Sequence, residues 1–318
     1  FKDASSYLTV NGALIADGTG DVPIIFTSLR DDAYGGDTDN DDGAYWPMPG
    51  DWQRIMFTDS SDDSRCILRH TLIRYGGATN NQSVMLDSAA PRILNNTIAH
   101  SSGYGLYLNN QSHPQVEGNT FLQNGISGLY LTGSSAPTVR NNTFTRNKAY
   151  AVEMTAESKP QFSGNNAFDN TYNGVKVSGT VASATTWDAD LVYVAHAVTI
   201  PSDGCLTLSP GAIVKFYSGI NWTVNGPLIA EGTVSAPIIF TSLRDDEYGG
   251  DTNNNGDASL PTAGYWGTIT IGSTASASRF QHVVVRYGGD PTIKVYQSAL
   301  SVVSSVLEVN KRALQFDQ

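Results

Sequence analysis

The chain has 318 residues, with 19 Lys and Arg against 30 Asp and Glu, a formal net charge of −11 and 31 glycines. This balance excludes the basic stripe that nucleic acid or an anionic membrane surface demands. No run of about 18 apolar residues is present to cross a bilayer as a helix, so neither a nucleic-acid partner nor membrane insertion is expected.

The start, Phe1-Lys2-Asp3, has neither Met nor a signal-like apolar stretch. From Leu8 the chain reads LTVNGALIADGTGDVPIIFTSLRDDAYGGDTDNDDG, and from Trp222 it reads WTVNGPLIAEGTVSAPIIFTSLRDDEYGGDTNNNGD. Thr9 and Thr223, Pro23 and Pro237, Asp37 and Asp251, and Trp52 and Trp266 all share one offset in the numbering. Self-similarity at long fixed spacing marks a solenoid, whose repeats pack only on their neighbours.

The first copy carries a polar insertion from Arg30 to about Asp51, with Asp37, Asp39, Asp41, Asp42 and Gly43 closely spaced. Tyr45 and Trp46 sit in it and are free to meet a ligand, whereas Trp52 opens a short alternating strand and is expected to pack inside. Cys66 and Cys205 lie several coils apart at about 4.8 Å per stacked strand. That is too far for a disulfide, whose Cα atoms approach within about 7 Å, and both are expected to be buried free thiols.

Between Pro91 and Val177 a second, shorter period appears. It aligns Pro91, Pro114, Pro137 and Pro160, and also Asn96, Asn119, Asn142 and Asn165. The apolar columns are Ile93, Val116, Val139 and Phe162, then Leu106, Leu129, Val152 and Val175, then Leu108, Leu131, Met154 and Val177. Leu106-Tyr107-Leu108 alternates with period 2, so it reads as a strand with both leucines inward. The same phase one period later means parallel, in-register stacking, and the period is too short for a βαβ unit of about 30 residues. The Asn column is expected at a turn, where stacked amides bond to one another and to backbone.

The turns NNTI (95–98), GNTF (118–121) and NNTF (141–144) carry that column. With them the chain resembles the right-handed parallel β-helix, the pectate-lyase-like superfold. The fourth coil reads GNNAF, with Phe168 one position late, so a small bulge or turn adjustment is expected there. The expected fold is all-β: a single-stranded right-handed parallel β-helix (β-solenoid) with one coil per short period and long loop insertions. It is read as one continuous helix over 1–318, with a first unit at 1–178 and a second at 179–318. The stretch 179–197 breaks the phase and is read as an irregular packed coil.

The second copy repeats PIIFTS at Pro237–Ser242 and RYGG at Arg286–Gly289, matching Arg74–Gly77. The larger unit is similar to a module of secreted bacterial β-helix proteins, which implies a secreted or cell-surface location. Both ends fall partway through a unit, so the chain is expected to be part of a longer one. The second insertion contains Asp251, Asn253, Asn255, Gly256 and Asp257, the first half of a D-x-[DN]-x-[DN]-G loop. Alternate residues there turn oxygens to one centre, and hard oxygen donors without Cys or His suit calcium. The loop position that holds a bidentate Glu in an EF-hand is Met48 in one copy and Thr262 in the other, so an EF-hand is not expected. Asp31 and Asp32, or Asp245, Asp246 and Glu247, are candidates to complete the shell. The competing reading is an Asx-rich turn that only solvates the loop.

Tyr107, Tyr130, Glu153 and Lys176 form an outward column. Tyrosine faces beside polar groups suit a sugar chain, and a plain solvated sheet face is the alternative. His70 and His282, like Arg74 and Arg286, occupy matched strand positions and read as structural. The resemblance implies polysaccharide lyases or glycoside hydrolases as one use of the superfold. The sequence offers no repeated compact acid or base cluster outside the Asp-rich loops, so no catalytic residue is assigned. The function expected is a calcium-stabilised scaffold or adhesive segment that binds carbohydrate or another cell-surface component, with the lyase or hydrolase as the alternative.

Overall fold

The structure is a computed structural model that describes residues 1–79 and 81–318. It divides into two compact units: Phe1–Glu153 with Ser163–Thr171, and Met154–Phe162 with Tyr172–Gln318. Both are stacks of parallel strands, and one 3-10 turn, Gly256–Ala258, is the helical content among the described residues. None of the described residues forms a helix long and apolar enough to cross a membrane.

Three parallel sheets build the first unit. One runs through Leu8–Val10, Ile55–Phe57, Gln82–Asp87, Tyr104–Asn109 and Leu129–Leu131. A second runs through Ile15–Asp17, Ile67–Arg69, Arg92–Leu94, Gln115–Glu117 and Thr138–Arg140. The third runs from Ile24–Phe26 through Thr71–Arg74, Thr97–Ala99, Thr120–Leu122 and Thr143–Thr145 to Asn166–Phe168. The predicted columns are the register: Leu106 pairs with Leu129, Tyr107 with Tyr130 and Leu108 with Leu131. Ile93, Val116 and Val139, like Leu106, Leu129 and Val152, are wholly buried. Each such side chain stabilises the stack by about 1.5–3 kcal/mol. Pro91, Pro114 and Pro137 are buried at equivalent positions, each immediately before a strand of the second sheet.

The corners explain the asparagines. Asn95, Gly118, Asn141 and Gly164 all have φ between +52° and +68°, the left-handed region that Gly and Asn enter at least cost. The next residue turns its amide inward. Asn119 Oδ1 accepts from Asn96 N and Asn96 Nδ2, both at 2.9 Å, while its Nδ2 donates to Ile93 O at 2.8 Å and to Asn142 Oδ1 at 3.0 Å. Asn142 bonds to Asn165 in the same way. A second ladder, unforeseen in the sequence reading, follows the next corner: Asn124, Asn147 and Asn170, at the same short period, with Ser101 N donating to Asn124 Oδ1. Strand ends thus meet the rule that buried backbone groups be paired.

The expected bulge at Phe168 is absent. Thr143, Phe144 and Thr145 pair with Asn166, Ala167 and Phe168 without a shift. Ala167 takes the inward place and Phe168 points out, 41% exposed. Backbone register, held by the Asn ladder, outweighs alignment of one aromatic. His70 and His282 lie at left-handed corners, φ 48° and 47°, rather than in strands.

In the second unit, Tyr172–Thr180, Tyr193–Ile200, Ile213–Phe216, Ile238–Ser242, Val283–Arg286 and Val306–Glu308 follow one another in a parallel sheet. Tyr193–Ile200 is long enough to pair also with Trp222–Val224, which leads on to Ile269–Ile271, Ile293–Tyr296 and Leu314–Asp317. Ala184–Trp187 starts a separate sheet through Cys205–Leu208, so the stretch 179–197 is packed structure. Both cysteines are free, but Cys205 is only half-buried, against expectation, because it begins its strand at a coil edge.

One device recurs in both units. Phe1 stacks on Trp52 with centroids 4.1 Å apart, and Phe216 stacks on Trp266 at 4.2 Å. Each indole nitrogen donates to an arginine carbonyl at 2.8 Å, Trp52 to Arg74 and Trp266 to Arg286. The buried tryptophan thus fixes an arginine beneath each acidic insertion.

Candidate functional site

The insertion of the first unit leaves the sheet after Ile24–Phe26. Asp37 closes it: Oδ1 accepts from Asp41 N and Oδ2 from Asp42 N, both at 3.0 Å. In the second unit Asp251 Oδ1 accepts from Asn255 N at 3.1 Å and Oδ2 from Gly256 N at 2.7 Å. These partners keep the long offset of the two copies, so both insertions fold alike. Carboxylate oxygens of Asp32, Asp37 and Asp41 lie within 4.8 Å of one another. Asp41 is itself bonded by the amides of Gly43, Ala44 and Tyr45.

The two insertions share a second property. Asp32 Oδ1 and Asp39 Oδ1 are buried without a hydrogen-bond partner, and so are Asp246 Oδ1 and Asn253 Oδ1, the matching atoms of the second copy. Partial burial and the charges of Asp37, Asp41, Asp39 and Asp31 push the Asp32 carboxyl above its usual range. Burial and neighbouring Asp41 do the same to Asp39. For Asp37, burial is outweighed by the backbone amides, which hold it low. Burial raises Asp246, and Asp251 adds to the rise while Lys215 opposes it.

The remaining predicted ligands are placed differently. Asp31 and Asp245 are almost fully buried. They accept from Thr27 and Thr241 and face Arg74 at 3.4 Å and Arg286 at 3.7 Å. Asn255 Nδ2 donates to Ser259, and Asp257 is exposed in the 3-10 turn. The sequence reading missed Lys215, which is wholly buried and donates to Gly250 O at 2.6 Å. Burial lowers it to about 8, while Asp246, Asp245 and Asp251 pull the other way.

Residues 55–186 match the family model described as a right handed beta helix region. This is a β-helix repeat protein. Comparison with curated proteins returns no match.

The tyrosine column of this β-helix repeat protein has a member outside the short period. Tyr104 stacks on Tyr130 with centroids 4.9 Å apart, and Tyr107 meets Tyr130 edge-on at 5.1 Å. Tyr107 also borders an open recess of about 360 Å3 with Arg54, Gln82 and Met85. Glu153, read as outward, is buried and accepts from Ser127 Oγ at 2.7 Å. Lys176 lies half-buried in the strand Tyr172–Thr180 of the other unit. Tyr45 and Trp46 are 65% and 81% exposed and line a cavity of about 270 Å3 with Arg30, Asp32, Ala33, Arg74 and Tyr75.

Proposed function

We propose that this β-helix repeat protein is an extracellular scaffold whose two acidic insertions are ordered by calcium and whose exposed aromatic surface holds carbohydrate or another cell-surface component. The observation that carries the metal reading is the repeated pair of buried oxygens without donors, at Asp32 and Asp39 and again at Asp246 and Asn253. A buried carboxylate without a donor is costly, and the same cost at both copies calls for a cation. Calcium takes six to eight oxygens and tolerates irregular geometry, which suits Asp32, Asp37 and Asp41 together with Asp39 in the first loop and Asp246, Asp251 and Asn253 in the second. Asn255 and Asp257 flank the second set, and Asp31 and Asp245 act from the arginine side. Affinity follows ligand charge, so the first loop, with more carboxylates, binds more tightly.

The sugar reading rests on Tyr104, Tyr107 and Tyr130, whose half-buried rings present faces beside the recess lined by Arg54 and Gln82. Aromatic faces pack on sugar rings, and polar neighbours fix hydroxyls. A glycan array read with CaCl2 and with EDTA tests both parts. Retention of defined glycans by wild type and loss in the Tyr107→Ala, Tyr130→Ala double variant is expected. Absence of any retained glycan in calcium refutes the binding role. An unchanged melting temperature in fully metal-free protein refutes the structural metal.

A further inference from the structure

The two copies are an internal comparison for the arginine beneath each insertion. In the second unit, Arg286 is surrounded by carboxylates from its own chain: Glu247 at 2.6 Å, Glu308 at 3.5 Å and Asp245 at 3.7 Å. In the first unit Arg74 keeps only the last of these among the described residues, Asp31 at 3.4 Å. Ala33 stands where Glu247 does, and Ala99, the strand neighbour of Arg74, stands where Glu308 pairs with Arg286. An open cavity of about 270 Å3 lies on this side of the first insertion, with Ala33 and Arg74 both on its wall.

The rest of the wall also differs between copies. Tyr45 and Trp46 occur where the second insertion has Ser259 and Leu260. Arg30 lies over the Tyr45 ring and Arg74 over the rings of Tyr34 and Tyr75. An exposed Trp beside Tyr and Arg around a cavity is the composition of protein-interface hot spots. Nε is buried without a hydrogen bond in both arginines; what the first copy lacks, among the described residues, is the carboxylate that Glu247 sets on Arg286 Nη1 at 2.6 Å, and a guanidinium fork is matched by a carboxylate.

We propose that this cavity receives a glutamate side chain from a partner polypeptide, with an apolar neighbour of that glutamate resting on Trp46 and Tyr45. The partner's carboxylate takes the place at Arg74 that Glu247 takes at Arg286. The second unit is closed to such a partner because it supplies the carboxylate itself. This site is separate from the tyrosine cluster and does not rest on the glycan reading.

The test uses the full chain in CaCl2 with 15N detection of the Trp46 indole and the Arg74 guanidinium. The probes are the blocked tripeptide acetyl-Leu-Glu-Leu-amide and its Gln counterpart. The Glu peptide is expected to shift both signals, and the Gln peptide to bind about tenfold or more weaker, since a charge-assisted bond is lost. Ala33→Glu is expected to abolish the shifts and to raise the melting temperature, and Ala33→Gln to do neither. Glu247→Ala is expected to open a second site, seen as new shifts at Arg286. Equal binding of the two peptides overturns the proposal. So does binding that survives Ala33→Glu, an absence of shifts with either peptide, or a response to acidic oligosaccharide alone.

Discussion

Asn119→Leu is the substitution that most directly probes how the coils of the first unit are held. Leu has nearly the shape of Asn, so it fills the space and keeps water out. It removes the acceptor for Asn96 N and for one hydrogen of Asn96 Nδ2, and the donor to Ile93 O. Asn96 and Asn119 are almost wholly buried, so three polar groups lose their partners in the interior. At about 1–3 kcal/mol for each stranded group, the loss is about 3–9 kcal/mol. Asn165→Leu removes the equivalent acceptor for Asn142 N and Nδ2 and the donor to Val139 O. Asn165 is half-exposed, so water replaces some of these bonds and the loss falls to about 1 kcal/mol. Urea unfolding followed by circular dichroism, with amide exchange at Asn96 and Asn142, reads both. A loss below about 1 kcal/mol for Asn119→Leu, or equal losses at the two sites, refutes the view that the ladder acts by pairing buried backbone.

Asp32→Asn is expected to stabilise the metal-free protein, because it removes one of several crowded like charges, and to weaken calcium binding about tenfold or more. Thermal melts in EDTA and calorimetric titration with CaCl2 check the two signs, and the same sign in both conditions contradicts the metal reading. Lys215→Met is expected to tighten calcium binding in the second loop by removing an ammonium beside Asp246 and Asp251, and unchanged or weaker binding counts against that loop as a cation site. His100 is held below its usual 6.5 by burial first and then by the Arg74 charge, against a smaller pull from Asp31. Between its folded value and 6.5 the unfolded chain binds more protons, so stability falls as pH drops through that window. Unfolding of His100→Gln between pH 5 and 7 should show a flatter profile, and an identical slope refutes the assignment.

The coil architecture was legible because inward positions repeat the same chemistry once per coil, and sheet register forces such positions into columns. The left-handed corners were half legible: Asn95 and Gly118 announce them, whereas Gln123 and Arg146, with φ 53° and 56°, do not. The second ladder was present in the spacing of Asn124, Asn147 and Asn170 but is not set in an N-N-T or G-N-T turn. Alternation along a strand says which way Glu153 points, yet not that Ser127 covers it. The acidic loops were found from spacing alone. That Asp31 and Asp245 turn to arginines depends on Trp52 and Trp266, which lie far from them in sequence and fix those arginines from inside.

Anomalous diffraction from crystals grown in CaCl2 tests the loop cation most directly. One peak is expected beside Asp32, Asp37 and Asp39, and a second, of lower occupancy, beside Asp246, Asp251 and Asn253. Two well-ordered loops in which water alone meets those oxygens would contradict a metal at either place.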